Sequence, residues 1–324
     1  MNSTYWHQKF SIGSYSFPRF IGAPLDSITD SPLRQLVRQF STDELLYTEM
    51  RHVGSVAADK DGLRTVRFEQ WERPLSYQIA ANSIDYIDSA IDRIIAAGVD
   101  IVDLNVGCPA RNVIGSGCGS ALMADLPRLE CILKHLRKKL SIPLTIKIRA
   151  GFKEYNAVEV ALCAQECGVD ARAIHPRLQT QKFEGRPDYS VAAQVKKALQ
   201  IPVLLSGNVV NWPTARMAYE ATGVDGFLIG RGLWGRPWKL KELREYSQGR
   251  IYAITRKEIL ACALDHLRRM LAYYGPKGLF IFRKHVPFYI AGMQGAGDIR
   301  TQLVSLECAD RVEAYLHELY ASVE

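Results

Sequence analysis

Short apolar segments alternate with longer amphipathic segments along the first 240 residues. The apolar segments lack an alternating polar face, which is typical of strands buried in a parallel sheet. They lie at residues 20–24, 45–50, 76–81, 101–105, 144–149, 172–175, 203–208 and 227–230. Between them, the spacing of apolar positions predicts helices at residues 84–97, 126–140, 157–167, 191–199 and 213–221. Gly98, Gly168 and Gly223 follow three of these segments, as glycine often does at the end of a helix.

Eight strands that alternate with helices predict an α/β fold, a (β/α)8 TIM barrel. A doubly wound parallel sheet is the alternative, because a count of strands does not show whether the sheet closes. Polar or small residues follow seven of the strands, and Gln78 lies inside the eighth. A closed barrel collects site residues from many strand ends, whereas an open sheet gathers them at one switch point. This distribution favours the barrel.

The strand pattern stops after Trp238, and residues 251–274 and 304–319 have helical patterns. The sequence therefore predicts a barrel domain at residues 1–244 and a helical domain at residues 245–324. In residues 251–300, Lys and Arg outnumber Asp and Glu by eight to three, whereas residues 301–324 hold one Arg and five acids. Aromatic residues lie among the basic ones, which suits RNA binding; a solvated basic helix face is the alternative.

The composition is 48% hydrophobic and 23% charged, with a formal net charge of +7, which argues against disordered and fibrous proteins. No apolar run approaches the ~18 residues of a membrane span. The first residues lack the apolar core of a secretory signal, so we expect a cytoplasmic protein with no membrane contact. The seven cysteines are scattered, which favours reduced thiols, and the absence of a C-x2-C pair argues against a bound metal.

Two glycine-containing segments follow the last two strands: residues 206–208, Ser-Gly-Asn, and residues 230–232, Gly-Arg-Gly. Glycines let backbone N–H groups approach an anion and Arg231 adds charge, so the pair predicts a phosphate site; plain strand-ending glycines are the alternative. Residues 230–235 also match G-x-G-x-x-G. That motif should open an α/β unit, and here it closes the pattern, which argues against a dinucleotide fold.

Two basic residues lie on neighbouring strands. Lys147 stands inside a buried strand, where a lysine needs an anionic partner: a bound cofactor, or a carboxylate of the protein. His175 ends the next strand, as a donor to a bound group or as a core histidine. Together with the phosphate site, they indicate an anionic cofactor, and flavin mononucleotide (FMN) fits.

Residues 101–105 lead through Asn105 and Gly107 to Cys108, which Pro109 restrains. A cysteine here could be a nucleophile, a metal ligand or a general acid. No histidine lies close in sequence to activate it as a nucleophile. An ordinary thiol, with a pKa near ~8.5, is mostly protonated at neutral pH and can donate a proton to a carbanion-like carbon.

In their order, these motifs resemble the FMN-dependent tRNA-dihydrouridine synthases over residues from about 20 to about 300. The motifs are AP-x3-ITD-x2-LR (23–34), TEM (48–50), DLNVGCPARNV (103–113), TIKIRAGF (145–152), H-x-R (175–177), FEGRPDY (183–189), SGN (206–208), GVDGFLIGRGLWGRPW (223–238) and RKH (283–285). The resemblance implies a barrel that binds FMN, a helical domain that grips tRNA, and NADPH as reductant. The implied reaction reduces the C5–C6 double bond of specific uridines in tRNA.

The resemblance also implies a role for each residue. Cys108 would protonate C5 of the uracil after a hydride reaches C6. The flavin contacts would be Lys147 and His175 at the edge of the ring system, Ala23, Pro24 and Gln78 along it, and Gly207, Asn208, Gly230 and Arg231 at the phosphate. Asn105 would lie on the substrate side, and Arg177, Arg283 and Lys284 would contact RNA.

The chain departs from the family pattern at Pro176, where Gly or Ala is usual, and at Asp26-Ser27. Proline has no N–H, so we expect a difference in flavin affinity or in the direction of Arg177. Two other functions stay open: an FMN barrel acting on a small pyrimidine-like molecule, and an RNA-binding protein without catalysis. We expect a monomer that binds no metal.

Overall fold

A computed structural model describes residues 3–62 and 64–323. The strands are β1 (Phe10–Ile12), β2 (Tyr15–Phe17), β3 (Phe20–Gly22), β4 (Leu46–Tyr47), β5 (Arg51–His52), β6 (Leu75–Ala80), β7 (Ile101–Val106), β8 (Leu144–Gly151), β9 (Ala171–Leu178), β10 (Val203–Ser206) and β11 (Gly226–Ile229). The α-helices are α1 (Ser3–His7), α2 (Ser31–Phe40), α3 (Val53–Ala58), α4 (Ile87–Ala96), α5 (Arg111–Gly115), α6 (Leu126–Lys139), α7 (Ala157–Glu166), α8 (Tyr189–Ala198), α9 (Trp212–Thr222), α10 (Lys239–Ser247), α11 (Arg256–Tyr274), α12 (Lys277–Phe282), α13 (Val286–Tyr289), α14 (Ala296–Ser305) and α15 (Ala309–Ser322). Short 3-10 helices lie at Gln70–Glu72, Gly119–Ala124 and Arg231–Leu233.

The parallel sheet closes into a barrel. Its strands are neighbours in the order β3, β11, β10, β9, β8, β7, β6 and β4. The backbone N–H of Gly22 at the end of β3 donates to the carbonyl of Leu45 beside β4 at 2.9 Å, which joins the first and last strands. The predicted TIM barrel is therefore confirmed, and the doubly wound sheet is excluded.

The predicted strand at residues 45–50 is two short strands in one position of the barrel. Both β4 and β5 pair with β6, at its start and at its end. Between them, Thr48 accepts the N–H of Gln78 on its Oγ1 at 3.0 Å, and Glu49 accepts the N–H of Ser27 at 2.8 Å. At this interruption, the Glu49 side chain contacts the loop after β3.

Strand β9 continues through Pro176 because the ladder is irregular at that point. Arg149 pairs with His175, but Gly151 pairs with Leu178, so β9 has one extra residue. A bulge of this kind accommodates a proline, because the missing N–H is not required for the ladder.

The hairpin β1–β2, which the sequence analysis did not predict, packs into the barrel. Phe10, Ile12 and Phe17 form one buried cluster with Leu204 and Leu228 of the barrel strands. A Cβ at Gly226, the first residue of β11, would lie 2.9 Å from the Phe10 ring, and one at Gly13 in the hairpin turn would lie 2.6 Å from Pro143, just before β8, so the hairpin packs at the N-terminal ends of these strands. The hairpin therefore leaves the C-terminal ends of the strands open.

Residues after α10 form a second hydrophobic core, which includes Leu260, Leu267, Phe282 and Leu316. The predicted helix at residues 304–319 is wrong as a single element, because α14 ends at Ser305 and α15 begins at Ala309. Helix α11 contacts α2 of the barrel through polar pairs, such as Arg269 Nη1 donating to Gln35 Oε1 at 2.7 Å. The division into domains at residue 245 stays a prediction. Over the described residues, no helix has both the length and the apolar character needed to cross a membrane.

Candidate active site

A cleft of about 990 Å³ opens at the C-terminal ends of the barrel strands. Eleven of the residues predicted for the site line it: Ala23, Pro24, Gln78, Asn105, Cys108, Lys147, His175, Gly207, Asn208, Gly230 and Arg231. With Met50, they come from all eight strand positions. The closure of the barrel therefore brings together residues that lie up to about 200 positions apart in sequence.

The loop after β7 holds Cys108 half-buried at the wall of this cleft. Asn105 Oδ1 accepts the backbone N–H groups of Gly107 at 3.1 Å and of Cys108 at 2.8 Å. Arg149 Nε donates to the carbonyl of Gly107 at 2.8 Å. A Cβ at Gly107 would lie 3.2 Å from the backbone of β8, so this approach favours glycine. The thiol is thus carried by a loop that is held from both sides.

Lys147 is half-buried and forms part of the cleft wall. Burial, with the charge of Arg149, lowers the pKa of its ammonium group to about 8, against the opposing effect of Asp103. An anion that binds beside Lys147 stabilises the charged form of this lysine, so anion binding there is favourable.

His175 is buried and uncharged. Burial and the positive charges of Lys147, Arg149, Arg177 and Arg231 lower the pKa of the imidazole to about 2. Arg177 Nη1 lies 2.8 Å from Nε2 of His175. Because a guanidinium group only donates, Nε2 accepts, and the proton of the neutral ring lies on Nδ1.

The loop after β10 has two residues in the left-handed region, Gly207 (φ +122°) and Asn208 (φ +58°). A Cβ at Gly207 would lie 2.9 Å from the ring of His175. Asn208 Oδ1 accepts from Arg177 at 3.1 Å and from Arg231 at 3.3 Å. This loop therefore places Arg231 beside glycine backbone, a combination that suits an anion.

The charges around the cleft favour an anionic ligand. Lys147, Arg149 and Arg231 line it against one carboxylate, Asp26. Within the described residues, no group of three or more His, Cys, Asp or Glu is arranged to hold a metal ion.

Comparison with known proteins agrees with this arrangement. The family model described as "Dihydrouridine synthase (Dus)" matches residues 21–323. The chain belongs to the dihydrouridine synthase family. It is 34% identical to "tRNA-dihydrouridine synthase B" of Pseudomonas aeruginosa, over 96% of this chain and 95% of the relative. It is 32% identical to "Probable tRNA-dihydrouridine synthase 1" of Synechocystis sp., over 94% of this chain and 87% of the relative. The family resemblance seen in the sequence is confirmed.

Dihydrouridine synthases are flavin-dependent oxidoreductases, so the protein is an enzyme of that class. A solved structure described as a variant of NCR from Zymomonas mobilis has a similar fold, with a TM-score of 0.57 over 78% of this chain and 94% of that chain. At 12% identity, this likeness concerns the fold alone.

That Arg177 contacts RNA stays a prediction, and in this structure its guanidinium group is held inside the protein. Arg177 is 1% exposed and is absent from the lining of the cleft. Besides His175 and Asn208, its guanidinium group contacts the carbonyls of Glu184 at 3.0 Å and Gly185 at 2.7 Å. Its hydrogen bonds are made inside the protein, where it orients His175.

The two other residues predicted to contact RNA, Arg283 and Lys284, differ in their exposure to solvent. Lys284 is exposed. Arg283 is partly buried and donates to the carbonyl of Leu306 at 2.8 Å, across the break between α14 and α15. Lys284 is therefore free to act on a ligand, whereas Arg283 also stabilises the helical region.

Arg149 and Phe183 are among the cleft residues that were absent from the predicted site. Arg149 joins three carbonyls, those of Gly107, Leu178 and Lys182. Phe183 is 56% exposed and its ring lies 5.5 Å from the Arg149 guanidinium carbon. An aromatic residue in an otherwise polar loop after a strand was the available signal for Phe183.

Proposed function

We propose that this protein is an FMN-dependent tRNA-dihydrouridine synthase that uses NADPH as reductant and reduces the C5–C6 double bond of uridines in tRNA. The main support is that Cys108 lies in the same cleft as Lys147, His175 and the glycine loops after the last two strands. The names of the relatives support tRNA as the substrate. We also propose that the protein is a monomer in the cytoplasm.

The residues of the cleft fit FMN. The anionic phosphate suits Gly207, Asn208, Gly230 and Arg231, because all four line the cleft, the glycines leave backbone N–H groups accessible and Arg231 supplies positive charge. Ala23, Pro24 and Gln78 offer a flat apolar wall with one amide. Lys147 would stabilise negative charge at the edge of the flavin ring, and the neutral His175 keeps one N–H to donate.

When bound and reduced, FMN supplies the hydride that C6 of uracil receives. Cys108 donates its Sγ proton to C5, where the resulting enolate-like charge accumulates. Asn105 holds the backbone N–H of Cys108, and so keeps the thiol at the cleft. The base must leave its stack in the RNA to reach the thiol, at a free-energy cost of a few kcal/mol that contacts with the RNA backbone offset.

The dihydrouridine content of tRNA tests this function directly. A strain that lacks the gene should lose dihydrouridine at defined positions of its tRNA, and the wild-type gene should restore it. Unchanged dihydrouridine at every tRNA position would contradict the proposal and favour a small pyrimidine-like substrate. A purified protein that cannot be loaded with FMN would favour RNA binding without catalysis.

We expect Gly207→Ala to weaken FMN binding by at least about tenfold, because the new methyl group pushes on His175. Gly249→Ala is the matched control: Gly249 also has a positive φ, +76°, but a Cβ there has no neighbour within 4 Å. Both variants carry the backbone strain of alanine at positive φ. Fluorescence titration measures the affinity, and equal affinities for the two variants would exclude the steric effect.

We expect Lys284→Ala to weaken tRNA binding and to reduce the slope of log K against log salt by up to about one, because one phosphate contact is lost. Lys138→Ala removes the same charge from an exposed position in the last turn of α6, six residues before β8 begins and so near the N-terminal end of that strand. Filter binding at several salt concentrations gives both slopes. If the two variants have the same slope, Lys284 is not at the RNA interface.

A further inference from the structure

A buried carboxylate, Asp103, lies beneath the cleft without lining it. Asp103 is 0% exposed, in the middle of β7. Its Oδ1 accepts the hydroxyl of Thr145 at 2.6 Å, and its Oδ2 accepts Nε2 of Gln78 at 2.7 Å. A fully buried carboxylate in a barrel core has an unfavourable desolvation energy, and the fold alone does not require one.

The hydrogen bonds continue from Asp103 to the loop that carries Cys108. Gln78 Oε1 accepts Nδ2 of Asn105 at 2.9 Å. Asn105 Oδ1 accepts the backbone N–H groups of Gly107 and Cys108 at 3.1 and 2.8 Å. Two buried side chains, Gln78 on β6 and Asn105 on β7, thus connect the carboxylate to the loop.

The Cys108 loop at one end of this hydrogen-bond chain and Asp103 at the other require mutually consistent orientations of the Asn105 and Gln78 amides. Backbone N–H groups can only donate, so the oxygen of Asn105 must face Gly107 and Cys108, and its nitrogen must face Gln78. An ionised carboxylate can only accept, so the nitrogen of Gln78 must face Asp103 and its oxygen must face Asn105. A reversed amide at either position would set two donors or two acceptors against each other.

We propose that Asp103 is a positioning residue: the acceptor oxygen that it offers to Gln78 sets the amide orientations of Gln78 and Asn105 and thereby holds the Cys108 loop in its reactive place. The importance of that place for catalysis rests on the proposed function, whereas the hydrogen-bond chain does not. The same chain determines which amide atoms Gln78 and Asn105 present to the cleft. It explains why a strand that is otherwise apolar carries Asp103 two residues before Asn105.

The test exchanges the carboxylate of position 103 and the amide of position 78 within this hydrogen-bond chain. In Gln78→Glu, two carboxylates face each other, and the chain survives only while a proton bridges them. In the double variant Asp103→Asn with Gln78→Glu, the introduced amide accepts from Thr145 and donates to the introduced carboxylate, which also accepts from Asn105. Every partner is then satisfied without an added proton. Asp103→Asn alone is the control for the lost charge, because Thr145 can turn its hydroxyl hydrogen away and leave the Gln78 contact intact.

Amide hydrogen exchange at Gly107 and Cys108 reports on the loop in the full-length protein, without any assay of activity. The ionisable groups that act on Asp103 are Lys147 and Tyr47, which all the variants retain. After correction for intrinsic rates, we expect protection in Gln78→Glu to fall about tenfold or more between pH 6 and pH 9. The double variant should keep its protection within about threefold over that range, as should the control.

Two results would overturn the proposal: a Gln78→Glu protein as protected at pH 9 as the double variant, or a double variant that folds poorly or stays unprotected. If Gln78→Glu alone fails to fold, recovery by the second substitution supports the chain. A wild-type protein that forms no dihydrouridine, while its variants show the expected exchange pattern, would instead count against the proposed function, so the two failures are distinguishable.

Discussion

Replacing Cys108 by alanine is expected to lower turnover on tRNA by roughly 10²–10⁴-fold, the range that a positioned general acid contributes. FMN should stay bound, because Cys108 is held by its backbone and not by its side chain. Single-turnover oxidation of the reduced protein by tRNA separates this step from reduction by NADPH. The loss should appear only in the oxidation by tRNA.

Cys131→Ala provides the matched control, because Cys131 is an exposed free cysteine on α6, outside the cleft. It should retain full turnover, which excludes a general effect of thiol removal. A Cys108→Ala protein that reduces natural tRNA at the wild-type rate would show that another group, or water, protonates C5.

The second large effect is expected from Lys147→Met, which removes the charge and keeps the length of the side chain. We expect FMN affinity to fall by about a hundredfold, since a charged hydrogen-bond donor is lost from a partly desolvated site. The apoprotein should be at least as stable as the wild type at neutral pH. Burial lowers the pKa of Lys147, so the charged lysine disfavours the folded apoprotein until an anion binds.

The affinity for FMN should also depend on pH, because Lys147 titrates near neutral pH. The pKa of about 8 means that Lys147 is mainly charged below pH 8 and mainly neutral above it. An anion prefers the charged form, so wild-type affinity for FMN should fall as the pH rises through about 8, with uptake of a proton on binding above that pH. Lys147→Met should lack this fall, whereas Lys153→Met, an exposed lysine just after β8, should keep it. Identical pH profiles for the two variants would remove Lys147 from the flavin site.

Two features of the structure that the sequence analysis did not predict have the same physical origin. Arg177 follows His175 by two residues, so the strand pattern places both on one face. Whether that face meets solvent depends on residues 184–185, whose carbonyls cover the guanidinium group. Likewise, the apolar spacing at 304–319 continues through the break at 306–308, where the carbonyl of Leu306 accepts from Arg283. Both outcomes depend on hydrogen bonds to another segment of the chain, which the spacing of apolar residues does not encode.

The barrel itself and half of the residues that line the cleft could be predicted from the sequence alone. Strands buried on both faces must be apolar along their length, so they can be recognised locally, and closure requires the polar residues of all eight strands to meet at one end. Cys108, Lys147, His175 and the glycine loops could be located from that rule. Tertiary structure decided which basic residues reach the cleft, how the loop of Cys108 is held, and that Asp103 connects to it through Gln78 and Asn105. Those features depend on hydrogen bonds between different strands, and a pattern along one chain does not contain their geometry.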